Sequence, residues 1–557
     1  MPKKFYIWTL GCQMNKNDSE RIAGLLRACG FESVNKPEEG DILIINTCSV
    51  RHAAEERVVG VVHNWQALRA AKPNLVIAIT GCMAGRDKDG KLKHKISGAD
   101  LFFKIDDLPM LPKWLGELTG DFTSPQPSPC KGEGGGDSPL SLPRRGQGEV
   151  TSPYGVSERE DLGDYLQINP SRANTSSVFI SIQTGCDNFC TYCVVPYARG
   201  RERNRPMQDI LDEVRQAVVN GAKEITLLGQ VVNHYRSKIE DLRIMNKDNP
   251  FRPVILSESE GSLKLRARRD SSATPQNDKR RGDDFAALLW EINQIPGDFR
   301  IHFTAADPQY FNDEQIEALK LPKQVNYLHL PVQSGDNEIL KKMNRKYTRE
   351  QYIELVKKIR AAVPDIALGT DIIVGFCGET DAQFERTLDL YKQCDFDISY
   401  HAMYSERTGT AAYNAARSPL SLTRRGQGEV NSFTDSVSKS VKKQRWQVLQ
   451  DYMEKRTLEK NQKYAGQIVR VLVDKCESFL PLTKGELEGV AVGASATASG
   501  KPPAAPLGKG GERLVCSGNT DDLKFAQFLG TPDLVGKFVK IKITQAKTWV
   551  LRGEMII

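Results

Sequence analysis

Three apolar, β-branched runs near the start of the chain each stop on a cysteine: "FYIWTLGC" at Cys12, "DILIINTC" at Cys48 and "LVIAITGC" at Cys82. A short apolar run bounded by small residues reads as a buried strand. The intervening segments, "NDSERIAGLLRACG" and "AAEERVVGVVHNWQALRAA", carry helical periodicity. Such strand–helix alternation folds as a parallel sheet with helices on its faces, and the ligand crevice of such a sheet lies at the carboxyl ends of its strands. The three cysteines stand about one strand–helix unit apart, so three thiols are expected to meet at one sheet edge. Three thiolates suit a soft metal, and three rather than four leave one iron of an iron–sulfur cluster open to an outside ligand. The competing reading is that they are small buried hydrophobes, as free cysteine often is. Cys29, within the first helix, reads as core.

The chain has 557 residues and a formal charge of +7, which allows roughly two to four domains and is compatible with a nucleic-acid partner without requiring one. The start, "MPKKFYIWTLGCQMN", lacks the apolar stretch of a signal peptide, and no run of the length needed to cross a membrane occurs. A cytoplasmic protein without a membrane partner is expected, with its twelve cysteines reduced and clustered ones serving metal or redox chemistry.

Several stretches interrupt this order. "SPLSLPRRGQGEV" (138–150) and "SPLSLTRRGQGEV" (418–430) differ only at Pro143 against Thr423. They have no fixed period and no hydrophobic face, so they read as translated copies of a mobile or palindromic nucleotide repeat, not as a structural repeat. "PQPSPCKGEGGG" near 130, the segment 479–514 and the polar, aperiodic segment 254–284 are punctuated similarly. All are expected to be disordered or loosely attached loops. The basic run Lys264 to Arg281 is taken as solvated insertion, and Cys130 and Cys476 receive no role.

The central part carries the densest motif: "VFISIQTGCDNFCTYC", a strand leading into Cys186, Cys190 and Cys193. Three cysteines at x3 and x2 spacing can hold three irons of a 4Fe–4S cluster. A zinc site would need a fourth ligand, and none follows nearby. From that strand onward six strand-like runs alternate with amphipathic helices: "VFISIQTG", "EITLLGQ", "RIHFTAA", "YLHLPVQSG", "IALGTDIIVGF" and "DISYHAMYS". This implies an incomplete (β/α) barrel with functional residues at the carboxyl ends of its strands.

A Cys-x3-Cys-x2-Cys loop on the first strand of a six-unit barrel resembles the radical S-adenosylmethionine (SAM) superfamily. With Cys12, Cys48 and Cys82 added, the chain resembles the methylthiotransferases, in particular the MiaB-type branch acting on N6-isopentenyladenosine in tRNA. The residues that carry the resemblance are "TLGCQMNKNDSE", "INTCSVRHAAEERV", "CTYCVVPYARGRE", "LHLPVQSGDNEILKKMNRKYT" and "DIIVGFCGET". "GCQMN" favours this branch over the one modifying a ribosomal-protein aspartate, which tends to carry "GCPKN".

The resemblance implies two 4Fe–4S clusters, one on Cys12, Cys48 and Cys82 and one on Cys186, Cys190 and Cys193. In the family, one SAM donates a methyl group to a sulfur carried on the first cluster. A second, cleaved at the other cluster, yields the radical that takes the hydrogen from carbon 2 of adenine, a position no acid or base can usefully deprotonate. Gln230, Gln333, Arg345 and Asp371 match positions where the family places polar groups for SAM. The implied partners are the tRNA anticodon stem-loop and an electron donor such as flavodoxin or ferredoxin, with the protein a monomer. "QVVNHY", "TAADPQYF" and Cys377 depart from the family's usual "QNVNSY", His before Pro, and "GFPGET". Two alternatives stay open: a sister enzyme acting on threonylcarbamoyladenosine in tRNA or on a ribosomal protein, and an iron–sulfur RNA-binding protein disabled by its insertions.

After a polar helix, "QIVRVLVDK" and "KFVKIKITQAKTWVLRGEMII" alternate with period two, as half-buried antiparallel strands do. With "LKFAQFLGTPDLVGKF" between them they resemble the TRAM domain, a small RNA-binding β-barrel. Lys537, Lys540, Lys542 and Lys547 would suit phosphates, and Phe538 or Trp549 would stack on a base. The expected class is α/β, with an N-terminal Rossmann-like parallel domain over 1–118 and a linker insertion over 119–171. A partial (β/α)6 barrel follows over 172–416 (insertion about 236–283), then a repeat-derived insertion over 417–436. A linker helix over 437–465 leads to a TRAM-like barrel over 466–557 (insertion about 477–514).

Overall fold

The computed structural model describes residues 3–48, 52–87, 89–119, 164–237, 241, 244–252, 254–255, 280–417, 433–477 and 514–556. Both RGQGEV-type repeats, Cys130, most of the basic run from Lys264 and the Pro/Gly/Lys-rich segments lie outside them.

Five parallel strands build the first domain: β1 (Lys4–Leu10), β2 (Glu32–Ser33), β3 (Ile42–Thr47), β4 (Val76–Gly81) and β5 (Leu101–Phe102), in the order β2-β1-β3-β4-β5. β3 and β4 are buried along their whole length, which is why their sequences are continuous apolar runs and not alternating ones. The helix Gln13–Ala28 closes a core with Phe5, Ile42 and Ile44 on one face, and the helix His52–Ala67 closes another with Leu43, Ile45 and Ile77 on the opposite face. Register then determines where the cysteines fall. Leu10 pairs with Thr47 and Thr47 with Gly81, so Cys12, Cys48 and Cys82 each follow the same rung by one or two residues.

The central domain contains the six expected strands: β6 (Ser177–Ser181), β9 (Glu224–Leu228), β12 (Arg300–Phe303), β13 (Tyr327–His329), β14 (Ala367–Val374) and β15 (Ile398–Met403). They form two parallel sheets, β6-β9-β12 and β13-β14-β15, and a parallel bridge between Ile301 and Gln324 joins them into one curved wall in chain order. A short hairpin of β7 (Gln183–Thr184) and β8 (Arg203–Asn204) flanks the cysteine loop, and β10 (Val254–Ile255) pairs with β11 (Arg280–Arg281) across the root of the insertion. The sequence assigns residues from about 236 to that insertion, yet described residues among them, Asp241, Met245 and Asn249, pack into the barrel. Met245 is core, Asp241 accepts from Met207 N at 3.1 Å, and Asn249 donates to Ala287 O at 3.1 Å. These polar side chains satisfy backbone groups of the barrel, so polarity there does not mean solvation. The free edge of β6 is covered by the first domain: Asn17 donates to Phe179 O at 2.9 Å and Ser181 Oγ to Asn17 Oδ1 at 2.7 Å.

The helix Lys439–Gln462 runs along β15, pinned where Arg445 pairs with buried Glu379 at 2.8 Å and Trp446 donates to His401 O at 2.9 Å. It leads to a closed barrel of β16 (Ile468–Glu477), β17 (Leu514–Thr520), β18 (Phe525–Gly530), β19 (Phe538–Ala546) and β20 (Leu551–Met555), ordered β16-β17-β18-β20-β19. Closure leaves no free edge. Two expectations fail here. Cys476 and Cys516 face each other across the β16–β17 ladder and form a disulfide, so not every cysteine is reduced. Phe538 is not free to stack on a base, because the Arg470 guanidinium lies 3.6 Å from its ring centre and Arg300 approaches at 5.7 Å. Arg300, rooted in β12, also donates to Thr520 O at 2.8 Å and thereby docks this barrel on the central domain. Lys537, Lys540, Lys542, Lys547 and Trp549 do remain exposed.

Candidate active site

The carboxyl ends of the central strands and the cysteine edge of the first domain face one cavity of about 390 Å³. Its lining includes Cys12 from the first domain, Cys186, Cys190 and Cys193 from the loop after β7, and Gln230, Gln333, Arg345 and Asp371. One third of the N-terminal triad and the whole central triad therefore share a single wall with all four polar residues singled out by sequence.

Each sulfur of the central triad accepts an N–H. Asn188 N reaches Cys186 Sγ at 3.5 Å, Arg345 Nη1 reaches Cys190 Sγ at 3.4 Å, and Val195 N reaches Cys193 Sγ at 3.4 Å. Gly185, at φ 76°, makes the loop feasible, because a Cβ there would lie 1.9 Å from Arg201 O. Burial pushes the Cys186 and Cys193 thiols up to about 12. Such sulfurs keep their protons until a metal displaces them, and donors aimed at them favour the thiolate that a metal requires.

In the first domain, Asn15 is fully buried and organises the turn. It accepts from Cys12 N at 3.3 Å and from Cys12 Sγ at 3.4 Å, and it donates to Asn46 Oδ1 at 3.0 Å. Gly81 holds φ 94° before Cys82, where a Cβ would lie 2.5 Å from Asn46 Oδ1. Burial raises Cys82, opposed by the adjacent Arg199 guanidinium. Among the described residues no three His, Cys, Asp or Glu side chains gather tightly enough for a single metal ion. A cubane cluster does not ask for that, since each thiolate ligates a different iron. Three thiols per triad, with every central sulfur and Cys82 met by an N–H donor, fit an iron–sulfur cluster and do not fit a closed zinc site.

The polar half of the cavity is preorganised. Arg345 is buried, pairs with Asp307 at 3.2 Å and accepts support from Tyr347, to whose hydroxyl its Nε donates at 3.1 Å. Asp307 also accepts from Asn188 Nδ2 at 2.9 Å, and the Tyr310 hydroxyl donates to Asn188 Oδ1 at 2.8 Å. Gln333 stands at φ 68° and bridges to β14 through Asp371 O at 2.8 Å. Asp371 pairs with His329 at 3.2 Å. Phe189, Ala305, Gln333 and Asn344 are four of the six non-glycine residues at positive φ among the described residues, and all four lie at or beside this cavity. Strain of this kind persists where the surroundings hold it and concentrates at functional sites. Cys377 lies apart, fully buried with Phe376 and Tyr404.

Sequence reading missed Asp307, Asn188, Tyr310, His329 and Arg199. Of these, only Asp307 had a visible cue, in "TAADPQYF", where it stands directly before the proline.

Comparison with known proteins agrees with this geometry. The radical SAM superfamily matches residues 180–391, the "Uncharacterized protein family UPF0004" residues 4–104 and the TRAM domain residues 516–556. The chain is 35% identical over 556 residues to the tRNA-2-methylthio-N(6)-dimethylallyladenosine synthase of Geobacillus kaustophilus (strain HTA426), covering 100% of this chain and 82% of that one. It is 34% identical to the synthase of the same name from Thermoanaerobacter sp. (strain X514), covering 99% and 92%. The chain belongs to the radical SAM tRNA methylthiotransferases. Among solved structures, the radical SAM methyltransferase TsrM from Kitasatospora setae aligns over 72% of each chain at TM-score 0.45 and 13% identity. As a member of its family, this methylthiotransferase uses an iron–sulfur cluster and SAM, and it carries an RNA-binding TRAM domain for a tRNA substrate. No helix among its described residues is long and apolar enough to cross a membrane.

Proposed function

We propose that this enzyme places a methylthio group on carbon 2 of N6-isopentenyladenosine beside the anticodon of tRNA. In this reading it acts as a cytoplasmic monomer reduced by a flavodoxin or ferredoxin. The observation that carries the reading is the single cavity lined by Cys12 and by Cys186, Cys190 and Cys193. Cys12, Cys48 and Cys82 would hold one 4Fe–4S cluster and Cys186, Cys190 and Cys193 the other, while Gln230, Gln333, Arg345 and Asp371 would hold SAM. When bound, these groups supply electrons, a methyl donor, a sulfur carrier and a radical able to take an unactivated hydrogen.

The chain's own residues orient and shield. Arg345, its charge balanced by Asp307, offers a fixed cation to a carboxylate. Gln230 and Gln333 add two amides to the same cavity. Tyr327, His329 and Tyr400 share the wall around Asp371, with Tyr327 and His329 stacked and Tyr400 5.7 Å from His329. Gly369 leaves room for them, because a Cβ there would lie 2.0 Å from the Tyr327 hydroxyl oxygen. Tyr400 is 58% exposed and offers a face to an unstacked base.

Incubating the reconstituted enzyme with stem-loop RNAs carrying isopentenyladenosine, threonylcarbamoyladenosine or plain adenosine, followed by nucleoside mass spectrometry, tests the reading. Methylthio product from the first RNA alone supports it. Product from the second alone moves the assignment to the sister enzyme.

A further inference from the structure

We propose that Arg199, supplied by the central domain, is a positioning residue that sets the charge and reduction potential of the cluster on the N-terminal triad. The proposal rests on the reading of Cys12, Cys48 and Cys82 as cluster ligands. Arg199 ends the short helix Val195–Arg199, six residues beyond Cys193, and is 2% exposed. It reaches across the domain boundary: Nε donates to Cys82 Sγ at 3.3 Å and Nη2 to Asp18 Oδ2 at 2.6 Å. Nη1 has no partner among the described residues, nor has Asp18 Oδ1. A buried guanidinium normally has its donors satisfied, so a spare donor beside Cys82 is available to an acceptor at that site.

The approach is built into the backbone. The helices Cys82–Arg86 and Val195–Arg199 pack so closely that a Cβ at Gly85 would lie 2.1 Å from Ala198 O. A bulkier residue would separate Arg199 from Cys82, so the glycine maintains the contact. Asp18, fully buried on the helix Gln13–Ala28, orients the guanidinium from the other side. Hydrogen bonds to cluster sulfurs and nearby positive charge stabilise the reduced, more negative state and raise its potential. Arg199 supplies both terms and Asp18 opposes the second. Loss of either charge should therefore move the potential in opposite directions, which a merely structural role would not do.

The test uses the full-length chain with Cys186, Cys190 and Cys193 all changed to Ala, so that only the N-terminal cluster gives a signal. Reconstitution is followed by an anaerobic redox titration read by electron paramagnetic resonance. Arg199→Gln is expected to lower the midpoint potential, Arg199→Lys to lower it less, and Asp18→Asn to raise it, each at parental iron content. Potentials unmoved by Arg199→Gln and Asp18→Asn, or moved the same way by both, overturn the proposal. If Arg199→Gln does not fold, Asp18→Asn and Arg199→Lys decide by the same criterion. A parental variant that holds no cluster overturns the triad reading, and the proposal with it.

Discussion

Replacing Asp307 with Ala should cost this enzyme more than any other single change of a polar residue in the cavity, because it leaves Arg345 buried without a counter-charge. The two side chains are 7% and 8% exposed and 3.2 Å apart, so solvent screens the pair little. At an effective dielectric of about 20 their attraction is roughly 5 kcal/mol, and breaking a buried pair from one side costs about 3–5 kcal/mol. For a domain of this size that corresponds to a fall of roughly 6–20 °C in the unfolding midpoint. Asp307→Asn should cost less, because an amide can still accept from Gln309 N, which Asp307 Oδ1 meets at 3.0 Å. The decisive comparison is Asp307→Ala with Arg345→Met in one chain. With both charges gone nothing is left unpaired, and most of the loss should be recovered. Thermal unfolding of the cluster-free protein, followed by circular dichroism, reads the parent, Asp307→Ala, Asp307→Asn, Arg345→Met and the double variant. A double variant whose loss equals the sum of the single losses would refute the charge-balance account of Asp307.

Three further outcomes are expected. Cys190→Ala should abolish cleavage of SAM, while Cys48→Ala should keep cleavage and lose methylthio product; chromatography of 5'-deoxyadenosine and of the modified nucleoside separates the two. Gly85→Ala, which forces the helices after the two cysteine motifs apart, should lower product formation roughly a hundredfold, the scale of a 1 Å misplacement, with cluster content retained. Gly60→Ala, on an open helix face with nothing within 4 Å, should leave activity unchanged. Burial lowers His302 from 6.5 to about 4, so the unfolded chain takes up that proton first and stability falls as pH drops from about 6.5 toward 4, by about 3 kcal/mol in all. His302→Phe should remove that part of the acid sensitivity in pH-dependent denaturant titrations, and an unchanged slope would contradict the assignment.

The parallel order of the first domain, the six strands of the barrel and the placement of Cys12, Cys48 and Cys82 just past strand ends are legible in the sequence, because buried strands write themselves as apolar runs and the thiols sit at fixed offsets from them. Arg199 against Cys82, 117 positions apart, was not legible, since an ion pair or sulfur contact across two domains leaves no local periodicity. The insertion over about 236–283 is drawn around the polar, aperiodic segment 254–284, and its start is placed too early, since Asp241 and Asn249 satisfy buried backbone of the barrel. Cys476 has no visible partner in the sequence because the text between it and Cys516 obscures that the two belong to neighbouring strands. Phe538 reads as an exposed aromatic on an alternating strand, and only the docking of Arg300 and Arg470 shows that its faces are taken.

Methylthiolation of isopentenyladenosine in tRNA by this chain is read out by nucleoside mass spectrometry. A bacterial host that makes isopentenyladenosine but lacks its own methylthiotransferase is grown with and without this gene, and its tRNA is digested. The expected result is methylthio-isopentenyladenosine only when the gene is present. Unmodified isopentenyladenosine in cells that contain the folded, iron-loaded protein would contradict the claim.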